Sequence, residues 1–164
     1  ETSEMLRISI VRASMHVELK NSSKVITIKM KPKIGIVVSE MHGDITEKML
    51  ELAELTAKDL DATVQKVIKV PGSFDIPLAV KMMLEKEDVD GVVTLGVIIK
   101  GETDHDQVIG FAVAYRLSEL SLAYNKPVVL GINGPGMTPE QAVARIKRAK
   151  QVTEACVELI KALK

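Results

Sequence analysis

The chain reads as an α/β protein: a four-stranded parallel sheet covered by helices on both faces. Three features predict this. From Lys33 onward, short apolar runs alternate strictly with segments of helical periodicity. The apolar runs are continuous rather than alternating, as strands buried on both faces must be. Each run also ends in a glycine-containing loop that leads directly into a helix, the connection a βα unit needs.

The first such strand is Lys33–Ser39, with Ile34, Ile36, Val37 and Val38 as its apolar residues. Asp44–Leu60 follows as a helix, with Ile45, Met49, Leu52, Ala53 and Leu60 at helical spacing and Asp44 and Glu47 three apart, as in a capping box. Thr63–Val70 is β-branched and strand-like, and Ile76–Glu85 is helical with Pro77 in its first turn. Gly91–Ile99 is the most apolar strand. It leads to a helix over Asp104–Tyr124, closed by Asn125 with Pro127 beyond it. Pro127–Ile132 makes the fourth strand. Thr138-Pro139-Glu140-Gln141 then combines an N-cap, an N1 proline and a capping-box glutamine. One last helix is expected from there, burying Val143, Ile146, Ala149, Cys156, Ile160 and Leu163.

Residues 30–164 thus form one domain, of ample size for a core. Residues 1–29 fall outside the rhythm. Leu6–Ile10 alternates, Val25–Ile28 is β-prone, and Asn21-Ser22-Ser23 reads as a turn between them. Two readings stand level: an added strand that pairs with a neighbouring subunit, or a flexible extension before a start at Met30.

Composition narrows the function. Twenty-two basic residues balance 22 acidic ones and are spread along the chain, so nucleic acid is not an expected partner. At 2% aromatic residues with no Trp, there are too few rings for a base-stacking platform. No apolar run reaches the roughly 18 residues of a membrane span, and charges throughout the first 30 residues do not suit a signal peptide. The lone Cys156 fits a reducing cytoplasm and reads as a buried structural thiol.

In parallel sheets of this kind, ligands bind beyond the carboxyl ends of the strands. Four loops lie at that edge: Ser39–Gly43, Val70–Asp75, Lys100–His105 and Asn133–Met137. Each contains glycine and precedes a helix, so each can present backbone N–H groups and a positive dipole end to an anion. His105 stands where a helix begins, beside Thr103 and Asp104, and imidazole suits proton transfer near neutrality. His42 reads as structural or as a substrate contact. Asp75 can cap its helix or accept from polyol hydroxyls, and Met41 can line a planar ligand or merely close its loop. Arg145 is either a solvated arginine or a bidentate phosphate clamp. The histidines, cysteine and carboxylates have no metal-ligand spacing, and neither a P-loop nor a dinucleotide fingerprint is present.

Val70-Pro71-Gly72-Ser73-Phe74-Asp75-Ile76-Pro77 and Leu95-Gly96 through Lys100-Gly101-Glu102-Thr103-Asp104-His105 resemble two long motifs of the 6,7-dimethyl-8-ribityllumazine synthase family, in the right order and each at a strand's carboxyl end. Gly134-Pro135-Gly136-Met137-Thr138 looks most like its archaeal members. The resemblance covers residues 33–164 and implies a three-layer flavodoxin-like sandwich. It implies condensation of 5-amino-6-(D-ribitylamino)uracil with 3,4-dihydroxy-2-butanone 4-phosphate, releasing phosphate and water, without cofactor or metal. By the same resemblance His105 is the proton shuttle, and Gly101, Glu102 and Thr103 cradle the phosphate. Arg145 reaches that phosphate from an adjacent subunit. Ser73, Phe74 and Asp75 hold the ribityl chain, Gly72 beside them is a further substrate-binding residue, and the backbone at Val97, Ile98 and Ile99 meets the pyrimidine.

This sequence departs from the family pattern at Met41 and Leu130, where aromatics are common, and at Thr153, where a lysine two turns after the arginine is usual. Lys147 or Lys150 is left as its substitute. The family implies a homo-oligomer, either a pentamer or an icosahedral sixty-subunit shell, acting in the cytoplasm on small molecules. Two rivals remain: the archaeal-type riboflavin synthase on the same fold, and a non-catalytic lumazine- or flavin-binding shell protein.

Overall fold

The computed structural model describes residues 6–11, 14–19 and 25–164, with side-chain detail from residue 30 onward. Its centre is a four-stranded parallel sheet made of β4 (Lys33–Ser39), β5 (Thr63–Val70), β6 (Gly91–Ile99) and β7 (Val128–Met137), in the order β5-β4-β6-β7. The chain steps outward from β4 to β5, then returns past β4 to β6. The strand order therefore reverses between β4 and β6, and a crevice opens at their carboxyl ends.

Helices α1 (Gly43–Asp59), α4 (Pro139–Ala144) and α5 (Arg148–Leu163) belong to one face, and α2 (Ile76–Lys86) and α3 (His105–Tyr124) to the other. Two cores result. Ile34, Ile36 and Val38 of β4 pack with Met49, Ala53, Cys156 and Ile160 on the first face, whereas Val37 packs with Val80, Met83, Val113 and Leu117 on the second. β6 serves both, and eight of its nine residues are buried. Its unbroken apolar run, Gly-Val-Val-Thr-Leu-Gly-Val-Ile-Ile, has that double burial as its cause.

Three expectations are corrected. No Asp44–Glu47 capping box forms: α1 starts from His42 in the left-handed region (φ 58°) with no side-chain cap, and Glu47 instead pairs with Lys69 at 2.5 Å. The expected single last helix is two, and Val143 and Leu163, expected on its buried face, are exposed. The Thr138–Gln141 capping box is present as read, but α4 stops at Ala144 and a turn at 145–147 redirects the chain into α5. β7 continues past Ile132 to Met137, so the fourth loop is an irregular strand end, with a cis Gly134–Pro135 bond and positive φ at Gly134 and Gly136. Its register with β6 shifts between Val97 and Ile99.

At the N-terminus, β1 (Leu6–Val11), β2 (Ser14–Leu19) and β3 (Val25–Lys29) form a separate antiparallel sheet in the order β1-β2-β3. None of them joins the parallel sheet among the described residues. The expected turn at Asn21–Ser23 lies outside those residues. No helix in the described chain is long and apolar enough to cross a membrane.

Candidate active site

Where β4, β5 and β6 end, a cavity of about 590 Å³ opens. Three of the four sequence-expected loops build it. Met41 and His42 come from the β4–α1 loop, and Pro71 through Asp75 from the turn after β5. Val97, Ile98 and Ile99 come from the end of β6, and Gly101, Thr103 and His105 from the segment entering α3. Its wall is mainly apolar, with a few convergent polar groups, as small-molecule sites usually are.

The turn after β5 is a short 3-10 helix, Ser73–Asp75. Asp75 does act as a cap here: its Oδ2 accepts from the Gly72 N–H at 2.9 Å. That bond fixes the turn and holds Ser73 inward, where it is 7% exposed and its Oγ has no protein partner. Gly96 makes room for it, since a Cβ there would stand 2.9 Å from Ser73 Oγ. A buried hydroxyl without a partner costs about 1–3 kcal/mol, so this one is suited to a hydroxyl or N–H of a ligand. Phe74 is 65% exposed and borders both this cavity and a second groove between α2 and α3.

Beside this turn, α3 begins at His105, with Asp104 as its N-cap residue. The Asp104 carbonyl accepts from the Gln107 and Val108 N–H groups, and the Asp104 carboxylate from Lys100 Nζ at 3.3 Å. The first N–H groups of a helix have no intrahelical acceptor and carry its positive dipole end. Beside exposed Gly101 and Thr103 they make a corner with the chemistry to hold an anion, with the exposed His105 next to it. Glu102 is exposed and does not line the cavity.

Two further expected residues stand apart from the cavity of their own chain. Leu130 lies on the edge strand β7, 38% exposed and paired in register with Thr94. Arg145 is the C-cap residue of α4: its Nη1 donates to the Gln141 carbonyl at 3.2 Å, and its own carbonyl accepts from Asn133 Nδ2 at 3.3 Å. Its side chain is exposed. Thr153 is fully buried, with its hydroxyl donating to the Ala149 carbonyl, so that position faces the core and has no place in a site. Lys147 is exposed, and Lys150 approaches Glu154 at 3.8 Å.

Sequence reading missed Asp106, Pro71 and Ile109 on the cavity wall. Asp106 is the informative omission: 5% exposed, in the first turn of α3, with Oδ2 accepting from the Gly136 N–H at 2.8 Å and Oδ1 buried without a protein partner. Its signal was its place directly after the histidine, where an acidic residue reads as ordinary helix-start chemistry.

With this geometry in hand, similarity to known proteins becomes interpretable. A family model for 6,7-dimethyl-8-ribityllumazine synthase matches residues 31–164. A 6,7-dimethyl-8-ribityllumazine synthase of Picrophilus torridus is 54% identical over 132 residues, covering 80% of this chain and 97% of that protein. Those of Methanopyrus kandleri and Methanocaldococcus jannaschii are 49% and 50% identical, each over 80% of this chain and over 94% and 93% of their own length. Both the match and the cavity fall within the parallel-sheet domain, and the chain belongs to the 6,7-dimethyl-8-ribityllumazine synthase family.

Proposed function

We infer that the chain condenses 5-amino-6-(D-ribitylamino)uracil with 3,4-dihydroxy-2-butanone 4-phosphate to give 6,7-dimethyl-8-ribityllumazine, phosphate and water, as a transferase of riboflavin biosynthesis. The observation that carries this is the grouping of His105, Gly101, Thr103 and Ser73 on the wall of one cavity. The end of β6 offers Val97, Ile98 and Ile99 to a planar ring, and the Met41 thioether lines the same cavity as a polarisable surface. Ser73, Asp75 and the N–H groups of their turn suit a polyol chain.

Each residue then has a chemical task. Forming the imine removes protons from the attacking amine, and expelling water returns one to a leaving hydroxyl. An imidazole at His105 serves both directions. Phosphate departure builds negative charge on the leaving oxygen, which the N–H groups at the start of α3 stabilise most as the bond breaks. Holding both substrates in one cavity removes much of the entropic barrier to their meeting.

Arg145 completes the phosphate corner from a neighbouring subunit in a homo-oligomer, a pentamer or a shell built of pentamers. Two features support this. The guanidinium is exposed and off its own cavity. Val108, Phe111, Tyr115 and Leu122, each more than 60% exposed, form a stripe within about 60° of arc on α3, opposite the face buried against the sheet. An apolar stripe of that size marks a contact surface. The cytoplasm suits the buried, unpaired Cys156.

The test is a steady-state assay with both substrates, following lumazine and inorganic phosphate. We expect equal release of the two and none when the butanone phosphate is omitted. Riboflavin formed from lumazine alone would instead indicate the dismutating paralogue, and lumazine binding with no turnover a carrier.

A further inference from the structure

We propose that Asp106 is a positioning residue for this reaction: it clamps the first turn of α3 to the glycine turn of β7 and thereby holds His105 against the cavity. The proposal rests on the lumazine-forming reading of the site. Asp106 is 5% exposed, and its Oδ2 accepts from the Gly136 N–H at 2.8 Å. Because Oδ1 has no protein partner, that bond is the carboxylate's one protein hydrogen bond among the described residues. A charged acceptor on a backbone N–H is among the stronger hydrogen bonds, and a carboxylate in a helix's first turn is further favoured by the dipole.

The segment it holds needs holding. β6 and β7 lose their common register between Val97 and Ile99, and Gly136 sits at φ 79°, where an L side chain would be strained. The Lys100 N–H to Met137 carbonyl bond, 2.9 Å, ties the same turn to the segment that leads into α3. Pro135 packs on Gly110 one turn further along, so closely that a Cβ there would meet its ring at 2.8 Å. Asp106 is the polar member of this interlock and directly follows His105. Phosphate affinity does not account for it, since a carboxylate beside an anion-binding corner repels phosphate. A clamp does.

The carboxylate's task is geometric, so an amide of the same shape should replace it. In Asp106→Asn the side-chain carbonyl still accepts from Gly136 N–H, whereas Asp106→Ala removes the acceptor. We expect D106A to lower kcat on the order of 10- to 100-fold, the range set by small misplacements of a reacting group, with KM for either substrate changed less than about threefold. D106N should recover kcat to within about threefold of wild type. Amide exchange at Gly136, read in the intact assembly, should be slow in wild type and D106N and at least about tenfold faster in D106A.

Wild-type kcat in D106A, a D106N as slow as D106A, or unchanged Gly136 exchange in D106A would each overturn the proposal. Should D106A not fold, Asp106→Glu, whose extra methylene carries the oxygen past Gly136, is expected to show the same losses. Failure of the wild type to make lumazine would count against the functional reading, and the exchange measurement would still decide the clamp.

Discussion

His105 and Cys156 show how surroundings assign roles to reactive side chains. His105 opens a helix on a cavity wall, exposed to whatever fills the cavity. His105→Ala should lower kcat about 100-fold or more while changing KM little, because general acid–base catalysis acts in the transition state rather than on ground-state binding. An alanine variant with wild-type kcat would remove the imidazole from the reaction. Cys156 is fully buried between α5 and the sheet, and burial, with a smaller contribution from Asp90, pushes its thiol from 9.0 up to about 12. The native state therefore keeps a proton that the unfolded chain gives up. This contribution to stability is complete below pH 9 and is lost as pH rises towards 12, at up to about 1.4 kcal/mol per pH unit. Alkaline unfolding curves of Cys156→Ala should be flatter than wild type in that window, and parallel curves would contradict the assignment.

β4, β5 and β6 match their expected bounds residue for residue and α3 comes within one residue of its own, and the reasons are physical. β6 is buried on both faces, so its apolar run has one sensible reading, and its predicted bounds match the strand residue for residue. α3 is bounded by Asp104 and by Asn125 in the left-handed region, chemistry visible in the letters. Elements set by tertiary contact were harder. Nothing local separates α4 from α5; the break is held by Asn133, which reaches from β7 to the Arg145 carbonyl. β7 runs on through Gly134-Pro135-Gly136, residues that read as a loop, because Asp106 and Lys100 supply partners for the turn's backbone. β2 was missed altogether, between two segments whose β-prone letters had left an added strand and a flexible extension level. On the cavity wall, motif residues from three loops were legible, whereas Asp106 was not, since its hydrogen-bond partner lies 30 residues away. Gly96 links β6 to the turn after β5. Gly96→Ala should push Ser73 and its turn away from β6, with about 1–3 kcal/mol of overpacking and a KM for the diaminouracil raised about tenfold. Gly43→Ala, where nothing lies within 4 Å of the new Cβ, should change neither by melting or kinetics. Equal behaviour of the two variants would contradict the close-approach argument.

The domain supplies a cavity with His105 and the start of α3 on its wall, and Arg145 is exposed elsewhere. In the assembly we propose, an apolar stripe on α3, facing away from both cores, is the surface through which a second copy brings that arginine to the cavity. A ring closed by head-to-tail contacts would give every cavity one foreign Arg145. Co-expression of His105→Ala and Arg145→Ala chains tests that arrangement most directly. In mixed rings, about one site in four joins an intact His105 to an intact Arg145 from its neighbour, so close to a quarter of wild-type activity should return. Activity no greater than the two variants show separately would contradict it, because a site complete within one chain cannot be restored by mixing.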